Sequence, residues 1–392
     1  MKFIHAADLH LDTPFVSINN FSNSLQEELK KSTYTAADKV FDTAIEAEVD
    51  FVILAGDTFD NTERTLSAQT YLRDQFSRLA SHNIRVYMVY GNHDYYRNDF
   101  SVIGFPDNVT VFNDDISTAQ LKTKDGQTVG ITGFSYYQNH ISDDMVAKYP
   151  SRGSFDYQIG ILHAGIGDQN YAPFTVNELL TKGYDYWALG HIHKREVLHQ
   201  NPMVVYSGDT QGRNQNELGT KGFYLVSAKN GITQSEFVPS SVYVWEDSRI
   251  AAIKGDTMND LFTKITDVLD SYRQSSEKFL VTLTINDAQN LNEEVVKALD
   301  RGEVLEHFSK NNFNAILYKI YSKYNRDAKL VEIDQKYWDE SESSIFNLDD
   351  IKDLDSRLFG EQVIRDHIND PAFISHIKEL TKNTINKKYI GD

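Results

Sequence analysis

Five short segments have the residue types and spacing to hold a pair of metal ions. They are Asp8-Leu-His10, Gly56-Asp57, Gly91-Asn92-His93-Asp94, His163 and Gly190-His191-Ile192-His193. Two adjacent dications polarise a phosphate ester and lower the pKa of bound water, so the chemistry indicated is phosphate ester hydrolysis. Taken singly, the segments are weak signals, since an Asp at a strand end is commonly a turn residue. Gly-His-X-His says more, because glycine permits an unusual turn and two imidazoles one residue apart can address two ions. Five such segments in one order over one continuous stretch carry the reading.

Each segment follows an apolar run that reads as a buried strand: Lys2–Ala7, Phe51–Leu54, Val86–Val89, Gln158–Leu162 and Tyr186–Leu189. Helical intervals separate the first three, from Ser24 to Glu48 and from Thr65 to Ser81, where Leu66, Tyr71, Leu72, Phe76 and Leu79 trace one face. This βαβ rhythm predicts a sheet flanked by helices, with ligands at the carboxyl ends of the strands. Phe112 to Gly133 reads as strand-turn-strand around Lys124–Gln127. Residues 196–206 and 222–238 are also strand-rich, the latter broken at Asn230-Gly231. A two-sheet sandwich with outer helices accommodates these elements. Pro239-Ser-Ser241 marks an exit from this domain. Beyond it the pattern predicts a helix from about residue 251, a strand at Phe279–Ile285, a helix near 291–310 and a strand at Ala315–Tyr321. From Ser341 the chain reads as charged helices with apolar positions such as Ile351, Leu354, Leu358 and Phe373.

The five segments together resemble the calcineurin-like metallophosphoesterase superfamily. His5-Ala-Ala-Asp8-Leu-His10-Leu-Asp12 and Gly56-Asp-Thr-Phe-Asp60 narrow the resemblance to its DNA-repair exonuclease branch, the SbcD- and YhaO-type nuclease partners of SMC-like ATPases. Specific motifs extend over residues 1–215, while the rest agrees in length and layout only. The resemblance implies an α/β fold: a four-layer β-sandwich core flanked by helices at 1–240, a smaller α/β capping domain at 251–335, and a helical segment at 341–392. That last segment either docks on the ATPase or packs on its own domain. The resemblance further makes Asp8, His10, Asp57 and His193 the ligands of one metal and Asp57, Asn92, His163 and His191 those of the other, with Asp57 bridging. It gives His93 the role of contacting the phosphate and protonating the departing sugar oxygen, with Asp94 orienting it. A mixed N/O ligand set without thiolates suits manganese, iron or zinc, and the family implies manganese. The activity implied is a DNA nuclease, a 3′-to-5′ exonuclease with or without endonuclease action, working as a homodimer joined to the ATPase. A phosphodiesterase or phosphatase for a small nucleotide is the alternative, because the same cage serves both. Against it stand the 150 or so appended residues and Tyr90, which occupies the place of the arginine typical of the protein-phosphatase version of the motif.

Arg64, Arg97, Lys194, Arg195 and Arg213 are candidates for backbone phosphate contacts. Tyr206-Ser-Gly-Asp-Thr-Gln-Gly-Arg213 is the foremost segment among them, with Asp209 in place of a small neutral residue. The remaining histidines, His5, His82, His140, His199, His307, His367 and His376, lie outside the motif set and receive no catalytic role.

At 392 residues the chain is long enough for more than one domain. It has no cysteine, which excludes disulfides and thiolate metal sites and fits a cytoplasmic setting. No signal peptide or membrane span is expected. Its 57 acidic residues exceed its 39 Lys and Arg, giving a net charge of −18, whereas a protein that binds nucleic acid alone usually carries a basic footprint. Either a local positive groove and the metals attract DNA, or the ATPase supplies most of the affinity; the charge favours the ATPase.

Overall fold

The computed structural model describes residues 1–15, 21–62, 64–96, 103–309 and 314–324, with 375, 377, 378 and 381 further on. Arg97 and nearly all of the expected helical segment 341–392 therefore lie outside the described residues.

Two six-stranded sheets form the centre. The first is built from β1 (Lys2–Ala6), β2 (Phe51–Ala55), β3 (Arg85–Val89), β4 (Val109–Val111), β11 (Gly222–Lys229) and β12 (Ile232–Pro239), in the order β12-β11-β1-β2-β3-β4. Strands β1 to β4 run parallel, with antiparallel β11 and β12 closing one edge. The second contains β5 (Ser117–Lys122), β6 (Thr128–Gly133), β7 (Tyr157–His163), β8 (Tyr186–Gly190), β9 (Glu196–Gln200) and β10 (Met203–Tyr206), ordered β5-β6-β7-β8-β10-β9. The mixed α/β class read from the sequence is the observed one.

Strand periodicity explains the layering. In β2, Val52 and Leu54 face one way and Phe51, Ile53 and Ala55 the other, yet all five are buried. Such two-sided burial requires cover on both faces. Val52 and Leu54 join Ile4, Ala6, Val86 and Met88 beneath α1 (Asn23–Glu46) and α2 (Leu66–Ser81), which contribute Val40, Phe41, Leu72 and Phe76. Phe51 and Ile53 instead enter the seam between the sheets, against Val129, Ile159, Ile161, Tyr186 and Ala188. The outer face of the second sheet, with Leu162, Trp187 and Val204, is covered by Met145 and Val146 of α3 (Met145–Lys148) and Leu179 of α4 (Val176–Thr181). Four layers result, helix, sheet, sheet, helix, and loss of one buried ring from them costs about 3–5 kcal/mol.

Helix starts follow local chemistry. Ser22 and Thr65 accept from Leu25 N and Ala68 N, and Thr175 with Glu178 forms a reciprocal cap on α4. The expected face of the second helix needs one correction. Leu66 stands 61% exposed while Ala68 and Gln69 are buried with Leu72, Phe76 and Leu79. A first-turn residue precedes the point where the helix meets the sheet.

After β12, Ser240 is tied back through its N–H to Lys221 O and its hydroxyl to Thr210 O. A third sheet, β13-β14-β15, follows from Tyr243–Ala251, Lys278–Asn286 and Ala315–Ser322, with α5 at Met258–Ser271. The single helix expected near 291–310 is two, α6 (Glu293–Asp300) and α7 (Glu303–Ser309), separated at Arg301-Gly302. Two compact units are defined. Among the described residues, one comprises Met1–Arg249, Asp260–Thr284 and Lys297–Tyr321, and the other Ile250–Asn259, Ile285–Val296 and those from Ser322. Among the described residues, no helix is long and apolar enough to cross a membrane.

One buried polar residue of β1 sets a pH response. His5 places Nδ1 3.0 Å from the Tyr186 hydroxyl and Nε2 3.1 Å from Leu189 O, and burial drops its pKa from 6.5 to about 3. The unfolded chain protonates this imidazole near pH 6.5 while the folded chain refuses the proton, so the contribution present above pH 6.5 is lost as pH falls toward 3. In urea unfolding, His5→Gln is expected to shallow the acid-side loss of stability by up to about 1.4 kcal/mol per pH unit between those values. An unchanged slope would show that His5 titrates alike in both states.

Candidate metal centre

All seven predicted ligands lie where strands of the two sheets end. Asp8 and His10 follow β1, Asp57 follows β2 and Asn92 follows β3; His163 ends β7, and His191 and His193 follow β8. The first sheet thus supplies four ligands and the second supplies three, and they meet across the seam. Asp8, His10 and His193 converge with ligand atoms within 4.8 Å of one another, and Asp8, Asp57 and His163 form a second such group. Asp57 Oδ2 sits between the two groups, 3.8 Å from His10 Nε2 and 3.4 Å from His163 Nε2. Asn92 Oδ1 completes the second side, 3.0 Å from both His163 Nε2 and His191 Nδ1.

The backbone is bent to achieve this. Asp8, His10, Asp57 and His191 all have positive φ, at 52°, 43°, 45° and 95°. Non-glycine residues there carry strain of order 1–3 kcal/mol each, and such strain concentrates at functional sites. Close approach is equally demanding. A Cβ on Gly91 would lie 2.2 Å from Asp57 Oδ1, and one on Gly190 would lie 1.9 Å from Ala55 O, which is why both motifs require glycine.

Outer hydrogen bonds fix how the imidazoles face. His163 Nδ1 donates to Ala55 O at 3.0 Å, His10 Nδ1 to Asp60 Oδ1 at 3.2 Å, and His193 Nδ1 to Glu217 Oε1 at 2.8 Å. With a cation present, each ring would turn an unprotonated Nε2 inward, the arrangement usual for metal-bound histidine. His10 Nε2 and His193 Nε2 face each other at 3.2 Å, a spacing at which a proton or a cation must lie between them. The donor set therefore fits divalent metal. Electrostatics agrees. Burial disfavours a charged His163, yet the Asp57 and Asp8 carboxylates overcome this and lift it to about 9. Burial also opposes ionisation of Asp57, but attraction from His163 and His93 holds its carboxyl well below the usual range. Burial pushes Asp8 up and lowers His10 and His191 to about 3. Buried carboxylates that draw a proton onto a neighbouring imidazole form a site that demands positive charge.

His93 stands at the rim of the cage. Its backbone N–H donates to Asp57 Oδ1 at 3.0 Å, its Nδ1 donates to Asp60 O at 3.0 Å, and its ring packs edge-on against His10 at 5.0 Å. Asp94 does not orient this ring by contact. Its carboxylate accepts from Thr58 N, Phe59 N and Gly91 N, pinning the loop after β2 to the loop after β3. Burial, then repulsion from Asp57, raises it to about 6. The imidazole is oriented by the backbone carbonyl of Asp60, a contact between loops that spacing along the chain does not reveal.

The basic candidates also read differently in three dimensions. Arg64 donates to Asp94 O and Tyr95 O and lies over the Tyr90 ring at 3.8 Å, so it braces loops. Arg195 covers Phe237 at 3.8 Å. Arg213 engages Asp60 and Glu217 rather than pointing outward. Lys194 is exposed. Asp209, anomalous in the sequence, is buried and pairs with Lys221 at 2.8 Å; burial raises its carboxyl to about 7. Asp60 and Glu217, which hold the outer nitrogens of His10 and His193, received no role in the motif reading. Asp60 gave one signal, lying three residues beyond Asp57, whereas Glu217 gave none.

This fold and cage define a metallophosphoesterase. The model for the calcineurin-like phosphoesterase family matches residues 1–195, and the chain belongs to that family of metal-dependent hydrolases. Among its relatives is the uncharacterized metallophosphoesterase YhaO of Bacillus subtilis, 37% identical over 291 residues, spanning 73% of this chain and 71% of YhaO. The DNA double-strand break repair protein Mre11 of Methanocaldococcus jannaschii is 27% identical over 239 residues, 58% of this chain and 62% of that protein. Its namesake in Methanococcus maripaludis is 24% identical over 375 residues, 88% of this chain and 92% of that protein.

Proposed function

We propose that this chain hydrolyses DNA phosphodiester bonds, as a manganese-dependent 3′-to-5′ exonuclease with or without endonuclease action. The observation that carries the reading is the paired ligand cage with His93 beside it. Relatives named for double-strand break repair, one aligned over most of the chain, support DNA as substrate. Asp8, His10, Asp57 and His193 would hold one cation, and Asp57, Asn92, His163 and His191 the other. When bound, such a pair supplies Lewis acidity toward the phosphoryl oxygens and acidifies water for in-line attack.

The chain's own residues do the rest. Ala55 O, Asp60 and Glu217 fix which imidazole nitrogen faces inward, so the cage is formed before substrate arrives. His93, with Nδ1 held by Asp60 O, presents Nε2 to the departing sugar oxygen and gives it a proton as the P–O bond breaks. The net charge of −18 supports a division of labour in which an SMC-like ATPase supplies most of the DNA affinity and a homodimer of this chain supplies the cutting.

The test offers the full chain, with manganese, single-stranded DNA, blunt duplex and a small chromogenic phosphodiester. Preferential cleavage of the polymer, releasing mononucleotides from 3′ ends, is expected. Preference for the small ester would instead make the protein a small-nucleotide phosphodiesterase. Tight, steeply salt-dependent DNA binding by the isolated chain would refute reliance on the ATPase.

A further inference from the structure

We propose that Arg213 is a positioning residue, a clamp that joins Asp60 to Glu217 and so fixes His10 and His193 as a pair. The inference rests on the two-cation reading above and assigns a role to a residue outside the cage.

The geometry is a closed chain. Arg213 Nη1 donates to Asp60 Oδ1 at 3.0 Å, and Arg213 Nη2 to Glu217 Oε1 at 3.0 Å. The same two oxygens receive the outer N–H groups of His10, at 3.2 Å, and of His193, at 2.8 Å. Arg213 Nη2 also lies 3.1 Å from His193 Nδ1, both turned to Glu217. Thr13 Oγ1 donates to Asp60 Oδ1 as well. Glu217 Oε2 accepts the Arg213 backbone N–H at 2.6 Å, which folds the loop between β10 and β11 onto itself. The three charged side chains are only 10–15% exposed, so solvent screens them little.

Topology gives this chain of contacts its purpose. His10 follows a strand of the first sheet and His193 a strand of the second, so no hydrogen-bonded ladder relates their positions. A guanidinium presents paired donors in a rigid plane and can hold two carboxylates at a set separation, which an ammonium cannot. The clamp therefore works at the seam between the sheets. The second cation position is supported differently: His163 leans on the Ala55 carbonyl. Loss of Arg213 should accordingly loosen one cation position and spare the other.

Manganese titrated into the full chain by calorimetry, with electron paramagnetic resonance reporting coupled pairs against single ions, tests this. Wild-type chain is expected to bind two ions. Arg213→Met should bind one as wild type does and the other about 10–100-fold more weakly, the scale of outer-shell substitutions. R213K, which keeps the charge without the fork, should resemble R213M rather than wild type. E217Q should weaken binding in the Arg213 background and add little to R213M. Equal weakening of both ions, no weakening, or independent effects of R213M and E217Q would overturn the clamp. If R213M fails to fold, the double variant R213M/E217Q removes one charge of each sign and must show the same one-ion defect. Wild-type chain that binds fewer than two ions would refute the two-cation reading itself.

Discussion

Asp57→Asn is expected to empty the centre while leaving the fold standing. The amide oxygen can still accept the His93 N–H that Asp57 Oδ1 accepts at 3.0 Å. Asparagine also tolerates the left-handed φ of 45° at this position, which alanine would not. What disappears is the charge. Asp57 Oδ2 is the atom placed between His10 and His163, and without an anion there two dications repel at short range. Metal content after dialysis should fall below one ion per chain, and turnover should drop by more than the roughly 100-fold ceiling of outer-shell changes. The metal-free variant should still unfold cooperatively but melt below metal-free wild type, because the ionised carboxylate that attracts His163 and His93 is lost. A variant that kept both ions and its activity would show that Asp57 does not bridge.

His93→Ala is expected to do the reverse, keeping the metals and losing the reaction. The ring belongs to neither of the two groups built around Asp8, and its Nδ1 is held by a backbone carbonyl. Its remaining nitrogen is available for proton transfer, a contribution of about 10²–10⁴-fold in rate. The size of the loss should depend on the leaving group. A sugar alkoxide needs a proton as it departs, whereas an activated phenolate does not. DNA cleavage should therefore fall much further than hydrolysis of a nitrophenyl phosphodiester. Equal loss on both substrates would leave His93 a phosphate contact rather than an acid, and loss of manganese with activity would make it part of the cage.

Legibility in the sequence differed by kind of residue. The strands bearing the ligands were visible because they are buried on both faces and read as unbroken apolar runs, as in Phe51-Val-Ile-Leu-Ala55. The ligands were visible because each directly follows such a run. Leu66 misled, because helical periodicity marks a face but not where along the helix the sheet begins. Arg213 and Arg64 misled for a related reason. A basic residue near a metal motif has the same spacing whether it points to substrate or, as here, to Asp60, Glu217 and the carbonyls of Asp94 and Tyr95.

The sequence by itself determined which atoms could bind metal, the strand ends that present them, and the family to which the chain belongs. Those properties are local, written in residue type and in spacing of a few positions. Tertiary structure alone decided how the imidazoles are turned. Ala55 fixes His163 across 108 positions, Asp60 fixes His10 across 50, and Glu217 fixes His193 across 24. It also decided that Asp94 secures backbone while the Asp60 carbonyl holds His93. The physical reason is that a hydrogen bond reports distance in space, and two sheets packed face to face bring together loops whose separation along the chain carries no trace of the contact.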